Sequence, residues 1–179
     1  MGRIAPWKGQ DLFLRAFARA FPDGRERAVV IGDALFGEEA QARRLRSLAA
    51  ELGIADRVEF RGHDGDVRRI WSDNQLLMMP SRQEGTPLAL VEAMLCGRPA
   101  VVTDVGGNVE WVRERENGFV AEAPSVASFG AAMERAWHAR DDWRTIGARA
   151  HDDAMRLHDP APGRTLLAHV LAAAGGAAR

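Results

Sequence analysis

The sequence predicts an α/β domain built on a doubly wound parallel sheet, and two observations carry this prediction. Short apolar runs rich in β-branched residues recur along the chain, as strands buried on both faces of a sheet require. Each run is followed by a longer stretch whose apolar residues return every three or four positions, which is typical of amphipathic helices. In such folds, ligands bind beyond the carboxyl ends of the strands.

Five strands are predicted, each from an apolar run with Gly, Pro or charged residues at its ends. They cover residues 28–32, 57–62, 76–80, 99–103 and 118–121. Residues 1–4 read as the last part of a further strand whose beginning lies upstream. We therefore expect the chain to be part of a longer protein.

Eight helices are predicted between and after these strands. They cover residues 10–21, 38–52, 66–73, 87–96, 109–114, 126–139, 141–157 and 165–174. In the second helix, Leu45, Leu48, Ala49 and Leu52 have the spacing of one buried face. The end of the chain, from residue 159, has no strand pattern and is expected to be a helix that packs on a neighbouring domain, followed by a frayed tail.

Composition excludes several classes of function. The 179 residues are 46% hydrophobic with a net charge of −1 and a pI near 6.5, so no bulk attraction to nucleic acid or to an anionic membrane is expected. A single cysteine fits a reducing compartment, and no apolar run reaches membrane-spanning length. We therefore expect a cytoplasmic protein.

Polar residues gather in three segments, residues 2–9, 81–86 and 104–108, each of which lies between a strand end and a helix start. A helix start offers free N–H groups and about half a positive charge, and glycines let the backbone approach a ligand. With Arg3 and Lys8 added, these loops suit a phosphate or diphosphate. The alternative is that Arg3 and Lys8 are ordinary surface charges. This alternative is weakened by the other loops, because all three should converge at one end of the sheet.

One carboxylate stands inside an apolar helix. Glu92 lies within one step of Leu88, Val91 and Leu95 on the helix predicted over residues 87–96, which therefore looks buried nearly all round. A buried carboxylate needs partners, either backbone N–H groups or an arginine, or else the two hydroxyls of a ligand diol.

The start of this helix is also predicted. Thr86 suits the N-cap position and Pro87 the first helical position, so Glu84 falls in the preceding loop.

These residues stand in a longer pattern. The segment PSRQEGTPLALVEAMLCGRPAVVTDVGGNVEWV, with GRIAPWKG upstream, resembles the family-4 retaining glycosyltransferases of GT-B fold, the glycosyl transferases group 1. The resemblance runs from Gly2 to Trp143. It implies that residues 1–158 form the Rossmann-like, carboxyl-terminal half that binds the nucleotide-sugar donor. Residues 159–179 would then pack on an amino-terminal acceptor domain.

The resemblance also implies roles for individual residues. Arg3 and Lys8 would grip the donor diphosphate, Glu84 would lie against the donor sugar, and Glu92 would hold the ribose hydroxyls. The backbone at Gly85, Thr86 and Leu88 would meet the sugar and diphosphate, while Arg61, Gly62 and His63 would line the nucleobase. Pro87 stands where many members have a glycine, and its missing N–H puts a backbone contact there in doubt.

The implied reaction is retaining transfer of a sugar from a nucleoside diphosphate, UDP as the first expectation and GDP as the second. The leaving phosphate would help take the acceptor proton, and no metal or other cofactor is expected. Asp64 and Asp66 read as a turn and an N-cap rather than as a metal-binding DxD pair. The isolated domain should bind donor but not transfer sugar, and any peripheral membrane contact would come through the acceptor domain.

Two alternatives stay open. One is a stand-alone nucleotide-sugar-binding module, and the other is an epimerase or phosphorylase of GT-B fold. A phosphorylase would need a lysine for a pyridoxal cofactor, and no lysine besides Lys8 stands in a motif.

Several other residues receive structural interpretations. Cys96 is predicted to be a buried small apolar residue, and Trp7 and Trp71 are predicted to be packing residues. Asn108 is predicted to cap the helix that follows it and to face the pocket. The remaining histidines are predicted to lie at the surface: His138, His151, His158 and His169.

Overall fold

A computed structural model describes residues 2–22, 24–34, 38–85 and 87–176. Within these residues there are five strands and eight α-helices in the predicted alternation, and two short 3-10 helices at Pro6–Lys8 and Arg140–Asp142. The strands are β1 (Ala28–Ile31), β2 (Val58–Arg61), β3 (Leu77–Met79), β4 (Ala100–Thr103) and β5 (Phe119–Ala121). The helices are α1 (Gln10–Ala20), α2 (Glu39–Glu51), α3 (Val67–Asp73), α4 (Leu88–Leu95), α5 (Asn108–Trp111), α6 (Val126–His138), α7 (Trp143–Leu157) and α8 (Pro162–Gly176).

The strands are all parallel, as predicted, but they form two sheets. β1 pairs with β2, and β3, β4 and β5 pair in that order. β4 is flanked on both sides and buried along its whole length, whereas β1 and β3 each have one side facing a groove between the sheets. The predicted single sheet is thus divided into two, with β1 and β3 on the two sides of the groove.

Apolar side chains cover both faces of the strands, which is the doubly wound arrangement. On one face α1 and α6 pack together around Phe119, Phe129 and Met133. On the other face α4 and α7 pack together around a cluster that includes Leu90 and Met94. Burial of each of these side chains stabilises the fold by about 1.5–3 kcal/mol. This packing fixes the positions of the strand ends, from which the polar loops emerge.

Several helix ends differ from their predicted positions, most of all the start of α8 and the end of α5, which both lie three residues earlier than predicted. α4 begins at Leu88 and Pro87 is its N-cap, one residue later than predicted, because Pro87 has the extended backbone (φ −81°, ψ 113°) of a capping position. The predicted cap, Thr86, lies outside the described residues. α5 ends at Trp111 rather than at residue 114, because Val112 is extended.

The two ends of the chain differ in packing. Gly2 and Ile4 donate N–H bonds to Ile31 and Asp33, both 2.9 Å long, so this segment runs beside the end of β1 as a strand would. At the other end, α8 leaves its apolar side chains more than half exposed: Leu166, Leu167, Val170 and Leu171. Among the described residues, no helix is long and apolar enough to cross a membrane.

Candidate functional site

The three polar loops meet at the carboxyl ends of the strands, as predicted, and two glycines allow the contact. Gly9 (φ 69°) lies so close to Pro80 that a Cβ atom there would overlap the Pro80 carbonyl oxygen. Gly106 (φ 55°) lies in the same way against the carbonyl oxygen of Glu84. Both backbones therefore need the left-handed conformation and the missing side chain that only glycine provides.

Lys8 and Glu84 form the centre of the site. The Lys8 ammonium donates to both carboxylate oxygens of Glu84, at 2.7 Å and 2.9 Å, and the Ser81 hydroxyl donates to Glu84 Oε1 at 2.6 Å. The Glu84 side chain is only 6% exposed, whereas that of Lys8 is 28% exposed. The pair thus buries the carboxylate and leaves the ammonium accessible from one side.

Hydrogen bonds from the sheet hold Ser81 in place. Thr103 Oγ1 donates to the Ser81 carbonyl oxygen at 2.5 Å, and Asn108 Nδ2 donates to the Thr103 carbonyl oxygen at 2.8 Å. Ser81, Thr103 and Asn108 are fully buried. The predictions for Asn108 were therefore wrong: it lies inside the protein, and Gly107 takes the N-cap position of α5.

Arg82 joins the loop that carries Glu84 to the loop that carries Lys8. Its guanidinium makes two 2.8 Å bonds to the Asp11 carboxylate, and its backbone N–H donates to the Trp7 carbonyl oxygen at 2.7 Å. Burial alone would raise the pKa of Asp11, but the ion pair with Arg82 outweighs it and holds that pKa below its ordinary value. Arg82 thus fixes the relative position of the two charged loops.

Arg3 has a different partner from Lys8. Its guanidinium donates two hydrogen bonds to the Glu38 carboxylate, at 2.7 Å and 2.8 Å. The guanidinium carbon Cζ lies 5.0 Å from the centre of the Trp7 ring. The Arg3 side chain is 43% exposed. Trp7 serves this stacking contact on the surface, whereas Trp71 is buried as the packing prediction required.

Glu92 has one carboxylate oxygen that the described residues leave unpaired. Its Oε2 atom is buried and has no hydrogen-bond partner among the described residues. Burial raises the pKa of Glu92 above its ordinary value because it disfavours the charged form. The helix around it is less buried than predicted, since Leu88 is 75% exposed and Cys96 is exposed as well. The prediction of a buried Cys96 was wrong because the chain leaves α4 there at the surface.

The segment after β2 is open to solvent. Arg61 makes two 3.1 Å bonds to Glu59, and Gly62 and His63 are exposed beyond it. The predicted turn and N-cap are present, since Asp64 accepts the Asp66 N–H and Asp66 accepts the Arg69 N–H at the start of α3.

A cavity of about 1010 Å³ connects most of these groups. It begins at the strand ends and continues between the two sheets. Its polar end is lined by Arg3, Lys8, Arg61, Glu84, Pro87 and Leu88. Five of the predicted ligand contacts thus lie around one opening: Arg3, Lys8, Arg61, Glu84 and Leu88. Glu92, Gly62 and His63 are not among the lining residues.

Comparison with known proteins identifies the family. The family model for glycosyl transferases group 1 matches residues 1–152. The chain belongs to this family. Its curated relatives include a D-inositol 3-phosphate glycosyltransferase of Geodermatophilus obscurus, 37% identical over 162 residues. They also include an exopolysaccharide phosphotransferase of Streptomyces coelicolor, 35% identical over 157 residues. Each alignment covers 87% of this chain, but only 36% and 16% of the respective relative.

Solved structures locate the chain within such a glycosyltransferase. HepE of Anabaena, in complex with UDP, superimposes with a TM-score of 0.85 and 29% identity over 96% of this chain and 48% of HepE. The carboxyl-terminal domain of a glycosyl transferase group 1 protein (LpcC) from Francisella tularensis superimposes with a TM-score of 0.77 at 23% identity, covering 89% of this chain and 84% of that domain. The fold is therefore the Rossmann-like carboxyl-terminal half of a GT-B glycosyltransferase, as predicted.

Sequence reasoning assigned no individual role to three residues of this candidate site. Ser81 donates to Glu84, Arg82 joins the two charged loops, and Glu38 pairs with Arg3. Ser81 could have been found, because a small hydroxyl directly after a buried strand points at the loop that follows. The partners of Arg3 and Arg82 are set by long-range folding, for which the sequence contains no local pattern.

Proposed function

We propose that the chain is the donor-binding domain of a retaining glycosyltransferase that moves a sugar from a nucleoside diphosphate sugar to an acceptor hydroxyl. The observation that carries the proposal is the Lys8–Glu84 pair at the point where the three loops meet. Residues 1–158 would bind the donor, and residues 159–179 would pack on an acceptor domain, for which the exposed apolar side chains of α8 are suited.

Lys8 has the capacity to hold a diphosphate without leaving Glu84. An ammonium group has three donors, and two of them meet the Glu84 oxygens. The third donor is left for a phosphate oxygen, on the side where Lys8 is exposed. Arg3 uses two of its five donors on Glu38, so it can add a second positive charge at the same opening.

The charges explain how the diphosphate could leave. Breaking the bond between the sugar and the diphosphate builds negative charge on the phosphate, which Lys8, Arg3 and the start of α4 would stabilise. Glu84 would accept hydrogen bonds from the sugar hydroxyls, since its oxygens have acceptor sites beyond those used by Lys8 and Ser81. The leaving phosphate would take the acceptor proton, and no metal is required.

The nucleoside would lie behind the diphosphate. Glu92 would accept hydrogen bonds from the two ribose hydroxyls, which would satisfy its buried oxygen. The backbone at Gly85, Thr86 and Leu88 would contact the sugar and diphosphate, and Arg61, Gly62 and His63 would line the base. UDP is the first expected nucleotide, because HepE has been crystallised with UDP and with UDP-glucose, and GDP is the second.

Calorimetry with UDP, GDP and ADP tests the donor site, with and without EDTA. We expect UDP to bind at micromolar to millimolar concentration, and EDTA to leave its affinity unchanged. Uridine should bind much more weakly, because it lacks the groups that Lys8 and Arg3 contact. If none of the three nucleotides binds at millimolar concentration, the donor-site proposal is wrong.

A second measurement separates an enzyme from a binding module. We expect the isolated chain to bind UDP-glucose but to show no transfer or hydrolysis, since acceptor groups would come from another domain. Fusion to the acceptor domain of a related glycosyltransferase should then produce transfer with retention at the anomeric carbon. Binding without transfer in any such fusion would favour the stand-alone binding module.

A further inference from the structure

Three neighbours hold Arg3 in place at the polar opening. Its Nε and Nη2 atoms donate to different oxygens of the Glu38 carboxylate, so one edge of the guanidinium is fixed. The Trp7 ring covers one of its faces. The side-chain amide of Gln10 donates to the Arg3 carbonyl oxygen at 2.9 Å, which fixes the backbone as well. The position of the guanidinium is therefore set by its partners and not by the backbone alone.

The opposite edge of the guanidinium carries the donors that a ligand could use. Nη1 has two N–H donors, and Nη2 has one besides the donor given to Glu38. Arg3 lines the cavity, whereas Glu38 and Trp7 are not among the described residues that line it. A ligand in the cavity would thus meet Arg3 and would not touch the two side chains that hold it.

The ion pair is built to survive ligand binding. The Glu38 side chain is only 14% exposed, whereas that of Arg3, which covers it, is 43% exposed. If Arg3 turned away towards a phosphate, the Glu38 carboxylate would lose two charge-assisted hydrogen bonds while largely excluded from water, which is strongly unfavourable. We therefore expect Arg3 to keep Glu38 and to meet a ligand with its opposite edge.

Lys8 is held in a similar way, but by a different loop. Its carboxylate partner, Glu84, follows β3, whereas Glu38 lies between β1 and α2. The two cations of the opening are thus positioned separately. A change at Glu38 should move Arg3 and leave Lys8 in place.

We propose that Glu38 is a positioning residue of the donor site, which sets the guanidinium of Arg3 so that its opposite edge contacts the diphosphate. Glu38 acts through Arg3 and touches neither the ligand nor the reacting atoms, and Trp7 supports the same position from the face of the guanidinium. The inference rests on the proposed function, since it requires a nucleoside diphosphate at this opening.

Glu38→Asp tests the proposal, because it keeps the negative charge and shortens the side chain by one methylene group. The shorter carboxylate cannot hold Arg3 where it now lies, so we expect UDP affinity to fall about three- to tenfold and uridine affinity to stay unchanged. Calorimetry measures both affinities. Glu51→Asp is the matched control, since Glu51 is exposed at the end of α2 and should leave both unchanged.

A double mutant shows whether Glu38 acts through Arg3. Arg3→Met should lower UDP affinity by about tenfold, and Glu38→Asp should cause no further loss in that background. A merely structural effect of Glu38→Asp would lower UDP affinity in both backgrounds. Losses that multiply in the double mutant would therefore overturn the proposal.

Trp7→Leu tests the same position from the other side of the guanidinium. Trp7 is exposed, so its substitution should leave the fold intact. We expect UDP affinity to fall about two- to fivefold in the wild-type background and to stay unchanged in the Arg3→Met background. Equal losses in both backgrounds would contradict the role given to Trp7.

The remaining outcomes distinguish this proposal from the donor site itself. UDP affinity that Glu38→Asp leaves unchanged would overturn the role of Glu38 and leave the donor site intact. Tighter UDP binding by Glu38→Asp would overturn it too, because Glu38 would then compete with the phosphate for Arg3. Absence of UDP binding by the wild-type chain would overturn both proposals.

Discussion

Two carboxylates of the site, Glu84 and Glu92, lie on either side of the start of α4 and are treated very differently by the protein. Glu84 is nearly completely buried, yet Lys8 and Ser81 give it three hydrogen bonds. Glu92 has a buried oxygen without a partner among the described residues, and burial raises its pKa. The fold therefore supplies hydrogen-bond donors to the Glu84 carboxylate, whereas one oxygen of the Glu92 carboxylate receives none from the described residues.

The two carboxylates therefore have different effects on the stability of the folded protein. A buried carboxylate that has a cation and a hydroxyl as partners is held in one position, ready to meet a sugar. A carboxylate without a partner reduces stability until a ligand supplies donors. In the proposed donor site, Glu84 would thus be the prearranged half, and Glu92 the half whose hydrogen bonds form only on binding.

The largest expected effect comes from Gly106→Ala. The new Cβ would overlap the Glu84 carbonyl oxygen, and alanine also disfavours the left-handed backbone. We expect a loss of about 2–4 kcal/mol in the free energy of unfolding and displacement of Glu84. Urea denaturation measures the loss. Gly65→Ala is the matched control, since Gly65 is an exposed loop glycine with space for a Cβ, and an equal loss in both variants would contradict this account.

Lys8→Met should have the next largest effect. It leaves the Glu84 carboxylate with only the Ser81 hydroxyl, so we expect a loss of about 1–3 kcal/mol in the free energy of unfolding. If Lys8 also holds the diphosphate, UDP affinity should fall by at least about tenfold while uridine affinity changes little.

A double mutant isolates the pair from the rest of the site. Glu84→Gln combined with Lys8→Met should lose less stability than the two single losses added together, because neither group is then left charged and alone. Lys8 is the only lysine of the chain, so ¹³C labelling of its Cε atom gives one identifiable side-chain NMR signal and keeps all three N–H donors. Strict additivity of the losses would show that the two side chains are not coupled to each other. No response of the Lys8 signal to UDP would show that Lys8 does not contact the ligand.

The contrast between the two carboxylates was only partly accessible from the sequence. The strand positions were predicted within one or two residues, because apolar runs bounded by Gly, Pro and charges have few alternatives. The Lys8–Glu84 bond was not predicted, because it joins loops 76 residues apart. The exposure of Leu88 and Cys96 was missed because an apolar sequence does not show which side of a helix another helix covers.

Glu92→Gln should act on stability and binding in opposite directions. The raised pKa means that the unfolded carboxyl ionises first, so the wild-type stability falls as the pH rises from about the ordinary value of 4.5 through the raised pKa. Glutamine has no such titration, so we expect the variant to be more stable by about 1 kcal/mol or less at neutral pH.

UDP binding by the same variant should be about tenfold weaker, since an amide offers one acceptor oxygen where the carboxylate offers two. Denaturation at several pH values and calorimetry measure the two effects. Glu51→Gln is the control, because this glutamate is exposed on α2 and does not line the cavity. If Glu92→Gln leaves UDP affinity unchanged, Glu92 is a structural residue and the difference between the two carboxylates has no functional meaning.

The smallest effect is expected from Arg82→Met, which weakens the connection between the Lys8 and Glu84 loops without touching Glu92. The pair with Asp11 is partly exposed, so we expect a loss of only about 0.5–1 kcal/mol at neutral pH. Because Arg82 lowers the pKa of Asp11, the pair stabilises the fold above pH 3.8 and loses this contribution as the pH falls through the lowered value. Wild type and variant should therefore converge in stability under acid. A constant difference down to the lowest pH would mean that Arg82 acts through its backbone-carbonyl contact with Pro6 instead.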